Sequence, residues 1–393
     1  MRVSTGAGLR RRALAAVLCL GLGGCVTTQE NRSTTPLQDA HAGIAANRIG
    51  DHARAVPLLT RGLESDALPE ELRIQVLFRR ALSLNNIGRA DEAIVDADAA
   101  ISHKADFAEA YNARGLAYLV KGQPDFAILD FDTAIKLQPE YMVARSNRAF
   151  AYQRKGQYDE AIADFSELIR VRKLAGDYAD RGDTYLFKSD DTRALADFDE
   201  AIKLNPKLGV AYNGRGVVKA RAGQYDDAIG EFSAALSNQP GLPVAYLNRG
   251  IFRLATQRYG AAVDDLSRYS RMAPGHAFAA LYLYVARSRQ GNNGTAELAR
   301  QLAPLEQAVW PRQIAAMFQG TMTPQRLREI AADADANLRA IYTCHAVYYA
   351  AEYQRLKGQG GDAKAGFEEA VKLCPKFTTE SVLAAAALMA PGA

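Results

Sequence analysis

Chemistry in this 393-residue chain has few places to start: four cysteines, five histidines and some adjacent carboxylates. The histidines (His41, His52, His103, His276, His345) are scattered. None sits in H-E-x-x-H, and neither G-x-S-x-G nor G-x-x-x-x-G-K-[ST] occurs. Gly358-Gln359-Gly360-Gly361 is glycine-rich, but no strand precedes it, so it reads as a turn between helices. Asp190-Asp191 and Asp226-Asp227 fall near expected helix starts, where carboxylates complement the helix dipole. No catalytic set, metal site or cofactor is expected.

The cysteines divide by position. Arg10-Arg11-Arg12 precede the apolar run A-L-A-A-V-L-C-L-G-L-G-G, residues 13–24. That run is too short to span a bilayer stably and has the build of a signal peptide, 1–24, which would take Cys19 with it. It ends in Leu22-Gly23-Gly24-Cys25, which resembles a bacterial lipobox; an ordinary signal peptide containing a cysteine is the alternative. The resemblance implies that Cys25 is acylated, palmitate being the kind of chain expected, and anchors the protein. Val26 in place of Asp implies outer-membrane sorting in enteric-type bacteria. Residues 25–35 then form the lipidated cysteine and a polar tether. Without residues 1–24, four of the 48 basic residues are gone and 44 basic face 44 acidic ones, so charge gives no support to a nucleic-acid partner. Apolar content of 48% and charged content of 23% fit a folded chain and exclude wholesale disorder or a multi-span membrane protein.

The elements that must position everything else repeat with a period near 34. Y-N-A-R-G-L-A-Y from Tyr111 recurs as S-N-R-A-F-A-Y from Ser146, and again as D-R-G-D-T-Y, N-G-R-G-V-V and L-N-R-G-I-F. A small residue recurs at Gly43, Ala81, Gly115, Ala149, Gly182, Gly216 and Gly250. Twelve residues on, alanine recurs at Ala55, Ala93, Ala127, Ala161, Ala194, Ala228 and Ala262. A bulky residue follows four later (Leu59, Phe131, Phe165, Phe198, Phe232, Leu266), except at Ala97. Small residues facing bulky ones let two helices cross closely. The pattern resembles the tetratricopeptide repeat (TPR), a helix–turn–helix unit. It implies an all-α, right-handed TPR superhelix, with the small residue at repeat position 8. Seven units cover 36–275; an irregular helical section covers 276–343; a final TPR-like unit covers 344–376; a helix within 377–393 caps the stack. Within the irregular section, Thr323-Pro324 reads as an N-cap followed by proline at N1, and lone Trp310 as a buried anchor.

Lipobox, tether, repeat array, Trp310-Pro311 and the closing C-H-A-V-Y-Y-A-A-E-Y…C-P are together similar to the NlpI-type TPR lipoproteins. That resemblance implies an outer-membrane-anchored, periplasm-facing adaptor without catalysis, often a homodimer, that binds envelope proteases or peptidoglycan hydrolases. A pilotin-like factor for a secretin or pilus system is the alternative.

Six repeats carry arginine at position 7 (Arg80, Arg114, Arg148, Arg181, Arg215, Arg249) and an acid at position 23 (Asp96, Asp130, Asp164, Asp197, Glu231, Asp265). These positions share a height in an antiparallel hairpin, so a structural ladder of pairs is expected, Arg114–Asp130, Arg148–Asp164 and Arg181–Asp197 among them. TPR geometry puts positions 2, 5, 6, 9, 12 and 13 on the concave face. Asn112, Asn147, Asn213 and Asn248 at positions 5 and 6 then form a track suited to a peptide backbone, or else local hairpin contacts. Phe78, Arg79, Asn85, Arg154 and Arg221 are further groove candidates, while Tyr118, Tyr152 and Tyr185 read as packing. Cys344 and Cys374 fall at positions 1 and 31 of the final unit, where its first helix begins and its second ends. Such ends can approach within the ~7 Å that a disulfide needs. A structural bridge, two buried thiols and a redox pair are the options; without C-x-x-C the last has least support.

Overall fold

The computed structural model describes residues 35–389 except 67, 307, 308 and 377. The expected signal peptide and Cys25 lie outside the described residues. All regular structure among those described is helical. Seven hairpins come first: α1 (Pro36–Arg48) with α2 (His52–Leu63), α3 (Glu70–Asn86) with α4 (Ala90–His103), α5 (Ala108–Val120) with α6 (Pro124–Leu137), α7 (Met142–Arg154) with α8 (Tyr158–Arg172), α9 (Ala175–Phe187) with α10 (Asp191–Leu204), α11 (Gly209–Arg221) with α12 (Tyr225–Asn238), and α13 (Pro243–Ala255) with α14 (Tyr259–Met272). Each helix packs on its hairpin partner and on the next hairpin, which makes a TPR solenoid.

The small residue at position 8 is a close-approach site. A Cβ added to Gly115 would lie 2.6 Å from the Phe131 ring, and one on Gly216 would lie 2.6 Å from Phe232. In the second repeat positions 8 and 24 both carry buried alanine, Ala81 and Ala97, whereas the fourth keeps the bulk of Phe165 with Ala149 at position 8. Each hairpin turn needs a left-handed residue at position 15. Gly50, Gly88, Gly122, Gly156 and Gly223 supply it in five repeats; Ser189 (φ 60°) and Gln257 (φ 59°) do so in the fifth and seventh.

The arginine ladder is present and longer than its spacing implied. Arg114, Arg148, Arg181 and Arg249 each grip the Asp sixteen residues on with Nε and Nη2, at 2.6–2.9 Å. Arg80 does the same to Asp96. Arg215 instead shares Glu231 with Lys219. The remaining Nη1 reaches back to position 25 of the preceding repeat: Arg80 to Thr60, Arg114 to Asp98, Arg148 to Asp132, Arg181 to Ser166, Arg215 to Asp199 and Arg249 to Ser233. One guanidinium thus ties its own hairpin together and staples it to its neighbour.

The C-terminal block departs from the expected divisions. α15 (Ala277–Arg289) continues the stack, followed by the short helices α16 (Thr295–Leu302), α17 (Trp310–Phe318) and α18 (Pro324–Ala332). Thr323 caps α18 by accepting from the Arg326 amide, with Pro324 at N1. α19 (Ala336–Leu356) begins eight residues before Cys344, because no proline or glycine interrupts 336–343. Cys344 is therefore inside a helix rather than at its start. It still meets Cys374 at the end of α20 (Gly360–Leu373): their Cα atoms are 4.7 Å apart and the Sγ atoms are bonded. Trp310 is buried, stacks on Tyr342 at 4.3 Å and donates Nε1–H to His345 Nδ1 at 3.0 Å.

The last helix, α21 (Thr379–Leu388), packs on α20 as a cap would, but it also reaches α13 and α19. It is not simply a lid on an open end. Buried Glu380 fixes it, accepting from Tyr282 Oη of α15 at 2.9 Å. Its other carboxylate oxygen lies 3.7 Å from His345 Nε2 of α19.

Candidate functional site

In a TPR solenoid the concave side is lined by the first helices of the hairpins, which here include α3, α5, α7, α9, α11 and α13. Most of the residues expected to offer themselves there are committed to holding repeats together. Asn147 donates to Asn112 Oδ1 at 2.8 Å, and Asn248 to Asn213 Oδ1 at 3.0 Å, each pair bridging neighbouring repeats. Asn112 is 2% exposed, so it is withdrawn from any groove ligand. Phe78 is also buried, edge-on to Phe107 at 5.4 Å, and belongs to the core instead of the groove. Asn85 donates to the Ala113 carbonyl at 2.8 Å. Arg154 and Arg221 donate to the Leu119 and Leu186 carbonyls at 2.8 Å, satisfying the C-terminal ends of α5 and α9. Arg79 donates to Asn47 Oδ1, and burial, then Arg48 nearby, pulls its pKa down.

What remains open lies further along. A cavity of about 410 Å³ opens between α9, α11, α13 and the start of α21, within the size range of ligand sites. Its apolar wall includes Leu186, Phe187, Val217, Ile251, Phe252 and Val382. Phe187 is 61% exposed, unusual for a phenylalanine inside a channel. Arg221 and Asn248 are the two expected groove residues that line it. Sequence reasoning missed Asp183, Phe187, Ile251 and the contribution of α21. The first three stand at positions 9 and 13, flagged as concave, and were legible; Val382 lies more than 120 residues from α13 and was not.

Asp183 is the group that distinguishes the cavity. Solvent reaches its carboxylate, yet the channel walls surround it, and it makes no hydrogen bond or ion pair among the described residues. That crowding, then the nearby Asp180 carboxylate, pushes its pKa up to about 7. Asp180, one turn earlier on α9, is likewise raised, to about 6, by burial and then by Asp177. The cation at the cavity is already engaged: Arg221 holds the Leu186 carbonyl, Ser189 Oγ at 2.9 Å and Asp191 at 3.0 Å. Among the described residues no cluster of three or more His, Cys, Asp or Glu is placed to hold a metal, and no helix is long and apolar enough to cross a membrane.

Comparison with known proteins places the repeats. Families described as tetratricopeptide repeats match residues 108–141, 144–173, 179–243 and 213–277. The structure is similar to a tetratricopeptide repeat protein from Parabacteroides merdae, with a TM-score of 0.55 at 18% identity, covering 64% of this chain and 98% of that one. It is also similar to the APC/C hetero-tetramer Cut9–Hcn1, with a TM-score of 0.50 at 19% identity, covering 72% of this chain and 55% of the other. At these identities the likeness is one of fold. No curated protein matches the chain significantly.

Proposed function

Since the chain belongs to the tetratricopeptide-repeat proteins, which bind other proteins or peptides, we propose that it is a non-catalytic envelope scaffold. It binds a partner segment in its concave channel and is lipid-anchored through Cys25 to the outer membrane, facing the periplasm. The partners are envelope enzymes such as peptidoglycan hydrolases or proteases. The observation that carries the binding reading is the cavity walled by α9, α11, α13 and α21, left open where most of the expected groove residues are spent on inter-repeat bonds. The anchoring rests on Leu22-Gly23-Gly24-Cys25.

Affinity capture of the tagged, lipidated chain from envelope extracts, with mass spectrometry of what co-purifies, tests this. Recovery of hydrolases or a protease, reduced when Cys25→Ala releases the chain from the membrane, supports it. Recovery of a secretin or pilus subunit without hydrolases replaces it with an assembly-factor reading. Turnover of cell-wall material by the purified chain alone overturns the non-catalytic part.

A further inference from the structure

Resting on the channel-binding reading, we propose that the α9–α11–α13–α21 cavity selects a partner segment in which a lysine or arginine adjoins a bulky apolar residue. The cation meets Asp183, while the apolar side chain seats among Phe187, Ile251 and Val382.

Three observations carry this. First, the cavity is apolar along most of its wall, so affinity comes from burying hydrocarbon, and a polar segment alone gains little. Second, the unspent polar capacity has one sign. Asp183 is unpaired, and Asn248 gives its amide to Asn213, leaving its own carbonyl oxygen as an acceptor. Arg221, the positive group at the wall, is held by Leu186, Ser189 and Asp191. A donor or cation is therefore complemented, whereas an incoming carboxylate meets Asp183 and is repelled. Third, Asp183 stands exposed on the cavity wall with no hydrogen bond or ion pair among the described residues, so an incoming cation reaches its carboxylate without displacing a partner. A lysine or arginine fits all three, because its apolar stem lies along hydrocarbon while its head reaches the carboxylate. The facing groups that bear on pH response are Asp180 on α9 itself and Arg221 on α11. α13 and α21 present Asn248, Thr379 and apolar side chains only.

The test uses the full chain in detergent and three hexapeptides, GSLKFG, GSLEFG and GSSKSG, each carrying fluorescein on its N-terminal amine and a C-terminal amide. Binding is read by anisotropy at pH 8. We expect GSLKFG to bind at least tenfold more tightly than either other peptide. Asp183→Asn should weaken GSLKFG at least fivefold, and Asp183→Lys should turn the preference toward GSLEFG. A gain of that kind cannot come from misfolding. Equal binding of GSLKFG and GSLEFG, unmoved by either variant, overturns the inference. So does the absence of any GSLKFG binding. Capture from envelope extracts is run in parallel with wild type and Asp183→Lys. Partners retained equally by both leave the scaffold reading standing while the pocket inference falls; no partner with either removes the scaffold reading itself.

Discussion

Asp183 and His345 should respond to acid in opposite ways. Asp183 titrates near 7 in the folded chain, against an ordinary carboxylate value near 4. Between those values the folded state holds the extra proton, so Asp183 favours folding most below about pH 4 and progressively less as pH rises through 7. Asp183→Asn removes that penalty. Its melting temperature should exceed wild type by about 1–2 °C at pH 8 and match it at pH 4; a lower value at pH 8 would mean the carboxylate supports the fold. His345 is neutral, since Trp310 donates to its Nδ1, and burial lowers its pKa to about 4. Here the unfolded chain takes the proton first, so stability is lost as pH falls from about 6.5 to 4. His345→Gln, which keeps an acceptor for Trp310, should flatten that limb of the melting-temperature profile. Residue roles were unevenly legible in the sequence. The position 7–23 ladder stood out because its residue types barely vary. The back-reaching contact to position 25 did not, because Thr60, Asp98 and Ser166 share only a side-chain oxygen. The asparagines were legible as inward-facing, but their pairing across repeats depends on a superhelical offset that spacing alone does not give.

At the scale of one hairpin, the turn and the crossing set opposite limits on substitution. Gln257 pays the left-handed penalty that glycine avoids at five equivalent turns. Gln257→Gly should raise stability by about 0.5–1 kcal/mol, the strain relief less glycine's added unfolded-state entropy. Ser189→Gly should gain less, because Ser189 Oγ accepts from Arg221. At the crossing the direction reverses. Gly115→Ala drives a methyl group into Phe131 and should cost about 1–3 kcal/mol. Urea midpoints of the three variants check the ordering, and a stabilised Gly115→Ala would show that the hairpin relaxes freely. Hairpins were legible because periodicity and glycine turns agree. The early start of α19 was not, since a repeat template places Cys344 first while A-N-L-R-A-I-Y-T contains nothing that stops a helix.

For the molecule as a whole, the described repeats up to α12 rely on nearest neighbours, whereas α13 onward shares one extended core. Hydrogen exchange should therefore be fastest in α1–α4 and slowest in α13, α15 and α19. Uniform protection would contradict this. Replacing both Cys344 and Cys374 with serine, thereby opening a loop of 30 residues, should lower stability of the C-terminal block by roughly 3.5 kcal/mol in the chain-entropy picture. Protection in α19 and α20 should drop with it. The bridge was legible from the spacing of its cysteines, but the tie from Tyr282 to Glu380 was not, because it spans 98 residues and belongs to no repeat. The reach of α21 back to α13 also has a mechanical meaning. A solenoid ordinarily behaves as a spring free at both ends, stretching and twisting along its whole length. Here the coils beyond α13 are clamped into a closed loop, and only the α1 side extends freely under load. The cavity adjoins the clamp, so its dimensions vary least while the remaining coils flex, and a partner held there stays gripped as the α1 end is pulled.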